Sequence, residues 1–205
     1  MNPLLVSACV VLALGVLIVR RRSFCLALLS AQSLILAGVA LSQAFDHSEL
    51  ALASAGLLVR ACTIGIILGI GIKRTRESRP VRASIAPMTR AIIAFAALLA
   101  ILLLVPPRGI GDYNTQRAAF ALGVLGILIT LARRATVIQI MGIIVAENGA
   151  ALLALSSSSN AVPEVIEMGV IFDLLVLAVV AMAFHQRIFA HFGSGDSANM
   201  RSLRD

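Results

Sequence analysis

Tryptophan is absent from this 205-residue chain, tyrosine occurs once, at Tyr113, and charged residues make up only 13% of it. With so little aromatic material, no stacking platform for bases is available, and no helix concentrates basic residues on one face. The net charge of +7 therefore does not describe a nucleic-acid binder. The same shortage removes the Trp/Tyr belt that usually marks the two membrane–water boundaries. One reading of that gap is that much of the lateral surface meets protein rather than lipid.

Cysteine is equally sparse. Cys9, Cys25 and Cys62 all lie in apolar stretches, and no pair has the spacing of a metal or redox site. They read as small buried apolar residues. His47, His185 and His191 are expected at membrane edges or in the tail and form no cluster with thiols. No metal, haem or other cofactor is expected, and no iron–sulfur ligand set is present.

What the chain has in quantity is apolar length. It is 60% hydrophobic with a mean hydropathy of +0.99. Runs of about 20 apolar residues match the roughly 30 Å of hydrocarbon that a helix must cross. The runs do not alternate polar with apolar residues, which argues against transmembrane strands. In lipid, a helix satisfies its backbone groups within its own segment. The expected fold is an all-α, polytopic transmembrane helix bundle with about seven spans, near 3–19, 24–45, 50–72, 90–105, 118–132, 135–155 and 164–184. The first span is not expected to be a cleaved signal peptide, because no basic residue precedes it and Arg20, Arg21 and Arg22 follow it.

All but one of the basic residues are arginines, and their distribution is one-sided. Fourteen fall on the side of Arg20–Arg22, Lys73–Arg90, Arg133–Arg134 and the C-terminal tail; only Arg108 and Arg117 fall on the other. The positive-inside rule then puts the N-terminus outside and the C-terminus inside. The basic loop Lys73–Met88 reads as a topology anchor that meets anionic headgroups, or as a docking surface for a cytoplasmic partner. Ser156–Pro163 reads as a flexible uncharged loop, and Gly193–Asp205 as a disordered tail.

An internal repeat is visible. The stretch RRSFCLALLSAQSLILAGVAL at 21–41 lies on RRATVIQIMGIIVAENGAALL at 133–153, and AGLLVRA at 55–61 lies on MGVIFDL at 168–174 with a one-residue gap. Gly56 then pairs with Gly169 and Arg60 with Asp173, and ALGVL occurs at both 13–17 and 121–125. Spans one to three and five to seven become parallel copies around span four, a 3+1+3 plan. The corresponding divisions are a three-helix half at 1–89, a connecting span and loop at 90–117, a second three-helix half at 118–192 and a tail at 193–205.

Three ionisable residues interrupt the apolar runs near mid-depth: Arg60, Glu147 and Asp173. An unpaired ion there costs several kcal/mol or more, about the scale at which it must face protein, a partner charge or water. A desolvated carboxyl group holds its proton to higher pH, and a nearby cation opposes that. Two readings follow. Glu147, Asp173 and Arg60 form a proton relay, or Arg60 locks helices by pairing with Asp173 or Glu147. Gly142, Ala146, Gly149, Ala150 and Ala154 permit close packing around Glu147, as Gly169 does near Asp173. Asn148, Gln139, Gln32 and Ser33 supply polar neighbours that either line a hydrated path or bond neighbouring helices. Glu164 and Glu167 stand at the outer end of span seven, as an entrance or as solvated terminal residues.

The stretch ATVIQIMGIIVAENGAALLAL, followed by VPEVIEMGVIFDLLVLAVVAMAFHQR, resembles the three-helix subunit K of respiratory complex I. It is also similar to the C component of cation/proton antiporters of the multi-subunit type. With its length and extra N-terminal spans, the whole chain is similar to component E of hydrogenase-4, of the formate hydrogenlyase type. The resemblance implies a non-catalytic membrane subunit of an oxidoreductase complex in a bacterial or archaeal plasma membrane, partnered by other membrane subunits and by cluster-bearing subunits. In the subunit K family a middle-helix and a last-helix carboxylate transfer protons. Asp173 falls on the last-helix acid. Aligning Asn148 with the family's asparagine puts the middle-helix acid at Ile143, one helical turn from Glu147. The alternatives are an antiporter subunit and a purely structural scaffold.

Overall fold

In a computed structural model, described over residues 2–44, 50–75, 86–104, 113–156 and 177–190, the chain is a bundle of α-helices. The helices are α1 (Pro3–Ile18), α2 (Arg22–Ala44), α3 (Leu50–Thr75), α4 (Pro87–Leu104), α5 (Tyr113–Ala132), α6 (Thr136–Ser156) and α7 (Leu177–Ala190). Five of them, α2 to α6, are long and apolar enough to cross a membrane; α1 and α7 are shorter apolar helices. The expected seventh span, 164–184, overlaps α7 only in its last part, because 157–176 lie outside the described residues. The same is true of most of the basic loop, of the loop after Ser156 and of the tail.

Helix starts follow from local chemistry. Asn2 caps α1 by accepting from the Leu4 amide at 3.0 Å, and Pro3 opens the helix where its missing N–H costs nothing. Pro87 does the same for α4. Three-residue turns at 19–21 and 133–135 force α1/α2 and α5/α6 into antiparallel neighbours.

The α5/α6 hairpin is the most closely packed part of the bundle, and glycine is the reason. A Cβ on Gly126 would stand 2.5 Å from the Gly142 carbonyl oxygen, and one on Gly149 would stand 2.6 Å from that of Ala119. Backbone meets backbone here, the small-residue packing that holds helices together in lipid. At the turn that closes the hairpin, the Gln139 side chain donates to the Arg133 carbonyl at 2.9 Å. Around this hairpin, α1 packs on α5 and α2 on α6, while α3 packs on α2. α4 touches α1 and α5 and buries only Arg90 and Ala94, leaving Ile92, Phe95, Leu99 and Leu103 outward.

Two positions differ from the expectations drawn from sequence. His185, near the end of α7, is fully buried rather than open to solvent, because α7 packs inward there, with Met182 filling the space above Gly71 of α3. Neither ring nitrogen of His185 has a hydrogen-bond partner among the described residues. Cys9 and Cys25 are buried as expected, but Cys62 faces outward from α3.

Candidate functional site

Four helices bring a polar network together near mid-depth. Arg60, 3% exposed on α3, reaches α6 with both terminal nitrogens. Its Nη1 stands 3.9 Å from Glu147 Oε1, and its Nη2 donates to Asn148 Oδ1 at 3.2 Å. The first distance is an ion pair without a hydrogen bond; the second is a hydrogen bond to a neutral amide.

Asn148 then passes the connection to α2. Its Nδ2 lies 3.1 Å from Gln32 Oε1 and 3.2 Å from Ser33 Oγ. Gln32 Nε2 in turn donates to the Cys9 carbonyl of α1 at 3.0 Å. That carbonyl is a backbone acceptor already inside a helix, so the Gln32 bond is an extra contact that fixes α2 on α1. The network therefore runs Glu147–Arg60–Asn148–Gln32–Cys9 and touches α6, α3, α2 and α1.

Arg60, Asn148 and Gln32 are all buried, and Glu147 is partly so. In hydrocarbon each would be costly alone; joined, they offset one another's desolvation. Ile143 lies one turn before Glu147 on the outward side of α6, 40% exposed. The packing thus puts Glu147, rather than position 143, beside the buried cation.

Of the residues singled out from sequence, Arg60, Glu147, Asn148, Gln32 and Ser33 meet in this network. Gln139 does not: it closes the α5/α6 turn, two helical turns from Glu147. Asp173, Gly169, Glu164 and Glu167 lie outside the described residues.

A second group of buried cations was not visible as such in the sequence. Arg90 of α4 and Arg133 of the α5/α6 turn are 2% and 1% exposed. Arg90 Nη1 donates to the Leu17 carbonyl at 2.6 Å, and Arg133 Nη2 donates to the same oxygen at 2.8 Å and also to the Val19 carbonyl. These are carbonyls at the C-terminal end of α1, where the helix leaves acceptors unsatisfied and carries partial negative charge. At the opposite end of the bundle Arg117 plays a matching part. It donates to the Leu102 carbonyl near the end of α4 while its guanidinium lies 3.9 Å over the Tyr113 ring. The signal for Arg90 was its place one turn inside an apolar helix; for Arg133, it was the shortness of the turn that carries it.

No protein-family model matches the chain, and no solved structure matches it. Among curated proteins, it is 24% identical over 180 residues to "Hydrogenase-4 component E" of Escherichia coli (strain K12), covering 84% of this chain and 83% of that protein. The component of the same name from Shigella flexneri matches to the same extent. "Uncharacterized protein Rv0085" of Mycobacterium tuberculosis is 29% identical over 204 residues, covering 93% of this chain and 91% of that one. Alignments of this length cannot be confined to the second half, so the N-terminal helices share in the likeness. The chain is a multi-pass helical membrane protein that is similar, along most of its length, to a named component of a hydrogenase.

Proposed function

We propose that the chain is an integral membrane subunit of a hydrogenase-4-like, complex I-related redox assembly, linking neighbouring membrane subunits and contributing to proton translocation. Redox chemistry belongs to other, cluster-bearing subunits. The observation that carries this reading is the polar network through four helices with Glu147 and Arg60 at its head. The likeness to hydrogenase-4 component E supports the choice of assembly. The expected orientation, N-terminus out and C-terminus in, is part of the same proposal.

The chemistry assigns different tasks to the members. The amides of Asn148 and Gln32 do not carry a net proton at neutral pH, so they orient rather than relay. Glu147 and Asp173 are the groups that load and release it. Protonating Glu147 removes the charge opposite Arg60, and among the described residues the guanidinium is then held by Asn148. Proton arrival is thereby converted into a change of partner for a cation anchored in α3, an event that a distant redox step can bias. The repeat adds a structural counterpart: the helices it equates, α1 with α5 and α2 with α6, pack against each other.

The test uses membrane vesicles that contain the native complex. Glu147→Gln and Asp173→Asn are made separately, and assembly, redox turnover and proton-gradient formation are measured together. Assembled complexes that turn over without building the gradient are expected. Normal gradients in both assembled variants sink the relay. A second reading, a purely structural lock, is favoured by the burial of Arg60 and its bond to Asn148. It predicts loss of assembly instead.

A further inference from the structure

Arg90 and Arg133 are among the largest fully buried side chains in the molecule, yet no carboxylate among the described residues neutralises them. Glu147 is the sole carboxylate among those residues, and it is engaged by Arg60. The helix carbonyls they cap use only part of each guanidinium. Arg90 Nε and Nη2, and Arg133 Nε and Nη1, are buried without a hydrogen-bond acceptor among the described residues. Arg20, exposed at the end of α1, adds its charge to both.

The strain of this arrangement shows on Arg133, which sits outside the spanning helices. Burial, and after it the charge of Arg90, lowers its pKa to about 10. It stays protonated at neutral pH, so its charge stands beside those of Arg90 and Arg20 at this end of the bundle.

Beside them runs a cavity of about 190 Å³ lined by Leu17, Arg90, Ile93, Leu128, Leu131 and Ala132. Ile93 is 39% and Leu131 72% exposed, so it opens on the lateral surface of the bundle. Apart from Arg90, its lining is entirely apolar. A soluble anion gains nothing from such walls, and a neutral alkyl chain gains nothing from the charges.

We propose that this place binds one anionic phospholipid, with its phosphate drawn to the Arg20–Arg90–Arg133 cluster and an acyl chain in the groove over Ile93, Leu128 and Leu131. Phosphate oxygens accept well from guanidinium, and basic pockets between membrane helices bind acidic headgroups in this way. The exposed Arg20 makes the first contact, and the two buried arginines supply an attraction that the low-dielectric surroundings screen little. The lipid then provides a negative charge that no carboxylate among the described residues supplies to Arg90 and Arg133, and it ties α4, the least buried of the long helices, to α1 and α5.

The full-length chain, purified in detergent micelles, tests this by native mass spectrometry and thermal unfolding. Phosphatidylglycerol, phosphatidylcholine and inorganic phosphate are added separately. One retained phosphatidylglycerol per chain and a raised unfolding midpoint are expected, with neither effect from phosphatidylcholine. Arg20→Gln should weaken phosphatidylglycerol retention about fivefold, the worth of one arginine near an anionic headgroup. Ile93→Trp, which fills the groove from an exposed position, should remove the shift and leave the lipid-free midpoint unchanged. Equal effects of the two lipids overturn the proposal, as does an undiminished phosphatidylglycerol effect in both variants. Inorganic phosphate reproducing the whole shift would mean a free-anion site, without a lipid. Loss of a partner subunit from Arg20→Gln complexes, with phosphatidylglycerol inert, would assign the charges to a protein carboxylate and equally overturn it.

Discussion

The molecule buries arginine in two places and treats it in two ways. At mid-depth, Arg60 faces a carboxylate at 3.9 Å and an amide oxygen at 3.2 Å. At the end of α1, Arg90 and Arg133 face only backbone carbonyls among the described residues. The difference follows from what each depth offers. Mid-helix carbonyls already accept from the helix ladder and lack the partial charge of a helix end, so a buried cation there is better matched by an acidic side chain. Helix C-termini present spare carbonyls and a partial negative charge, so a cation there can do without one. The first solution stores a titratable partner and is suited to switching. The second is fixed at any pH that keeps arginine charged, and is suited to holding α1, α4 and the α5/α6 turn in register.

The largest effect should come from breaking the first solution on one side. Arg60→Leu leaves Glu147 beside an apolar side chain and should destabilise the bundle by about 3–5 kcal/mol. The double variant Arg60→Leu/Glu147→Leu should recover most of that loss, since a well-packed apolar pair often replaces a buried ion pair without cost. Thermal unfolding of these two variants, of Glu147→Leu and of the parent protein in one detergent measures the cycle. If the double variant is no better than the single, Arg60 and Glu147 are not coupled.

Asn148→Leu probes the branch of the same network. It removes the acceptor of Arg60 Nη2 and the donor to Gln32 and Ser33, and leaves buried polar groups without partners. A loss of about 1–3 kcal/mol is expected. Gln32→Leu should then cost less in this background than alone, because its link to α6 is already gone and only its bond to the Cys9 carbonyl remains to be lost. An additive double variant would show that the two residues act separately.

Much of this first site was legible in the sequence, since a charge inside an apolar run is conspicuous whatever the fold. Arg60 and Glu147 stand out for that reason, and Asn148 by adjacency to Glu147. The pairing was not legible: Arg60 had two carboxylates as candidate partners, and only the packing of α3 on its neighbours puts Glu147 beside it. The second site was masked by a rule that works. Arginines at span ends satisfy the positive-inside pattern wherever their side chains point, so Arg90 and Arg133 read as topology markers although both are buried. The burial of His185 was not legible for a related reason: position near a span end says nothing about which way the helix faces. Element identity and approximate bounds came through for α1 to α6 because apolar length alone fixes them.

The second solution should respond more gently. Arg133→Gln keeps a donor near the Leu17 carbonyl but removes a charge from the cluster, and should expose the end of α1. Cys25 reports on it, since its thiol lies 3.7 Å from the Val16 carbonyl and 3.5 Å from that of Val19. Faster labelling of Cys25 by a small maleimide is expected in this variant, in a background where exposed Cys62 is replaced by Ser. Unchanged labelling would mean that Arg90 alone secures the helix end.

Gln139 marks the boundary between the two arginine environments and should give the smallest effect. It lies on the same helix as Glu147, yet its side-chain bond, to the Arg133 carbonyl at 2.9 Å, belongs to the turn. Gln139→Ala should therefore cost about 0.5–1.5 kcal/mol, the worth of one hydrogen bond. Because its partner is the residue that caps α1, the loss should appear as increased Cys25 labelling and not in proton-gradient formation by the complex. The opposite result, a weakened gradient with labelling unchanged, would put Gln139 on the path that contains Glu147. The two kinds of arginine site would then be joined through α6, and a proton event at mid-depth would have a route to the end of α1.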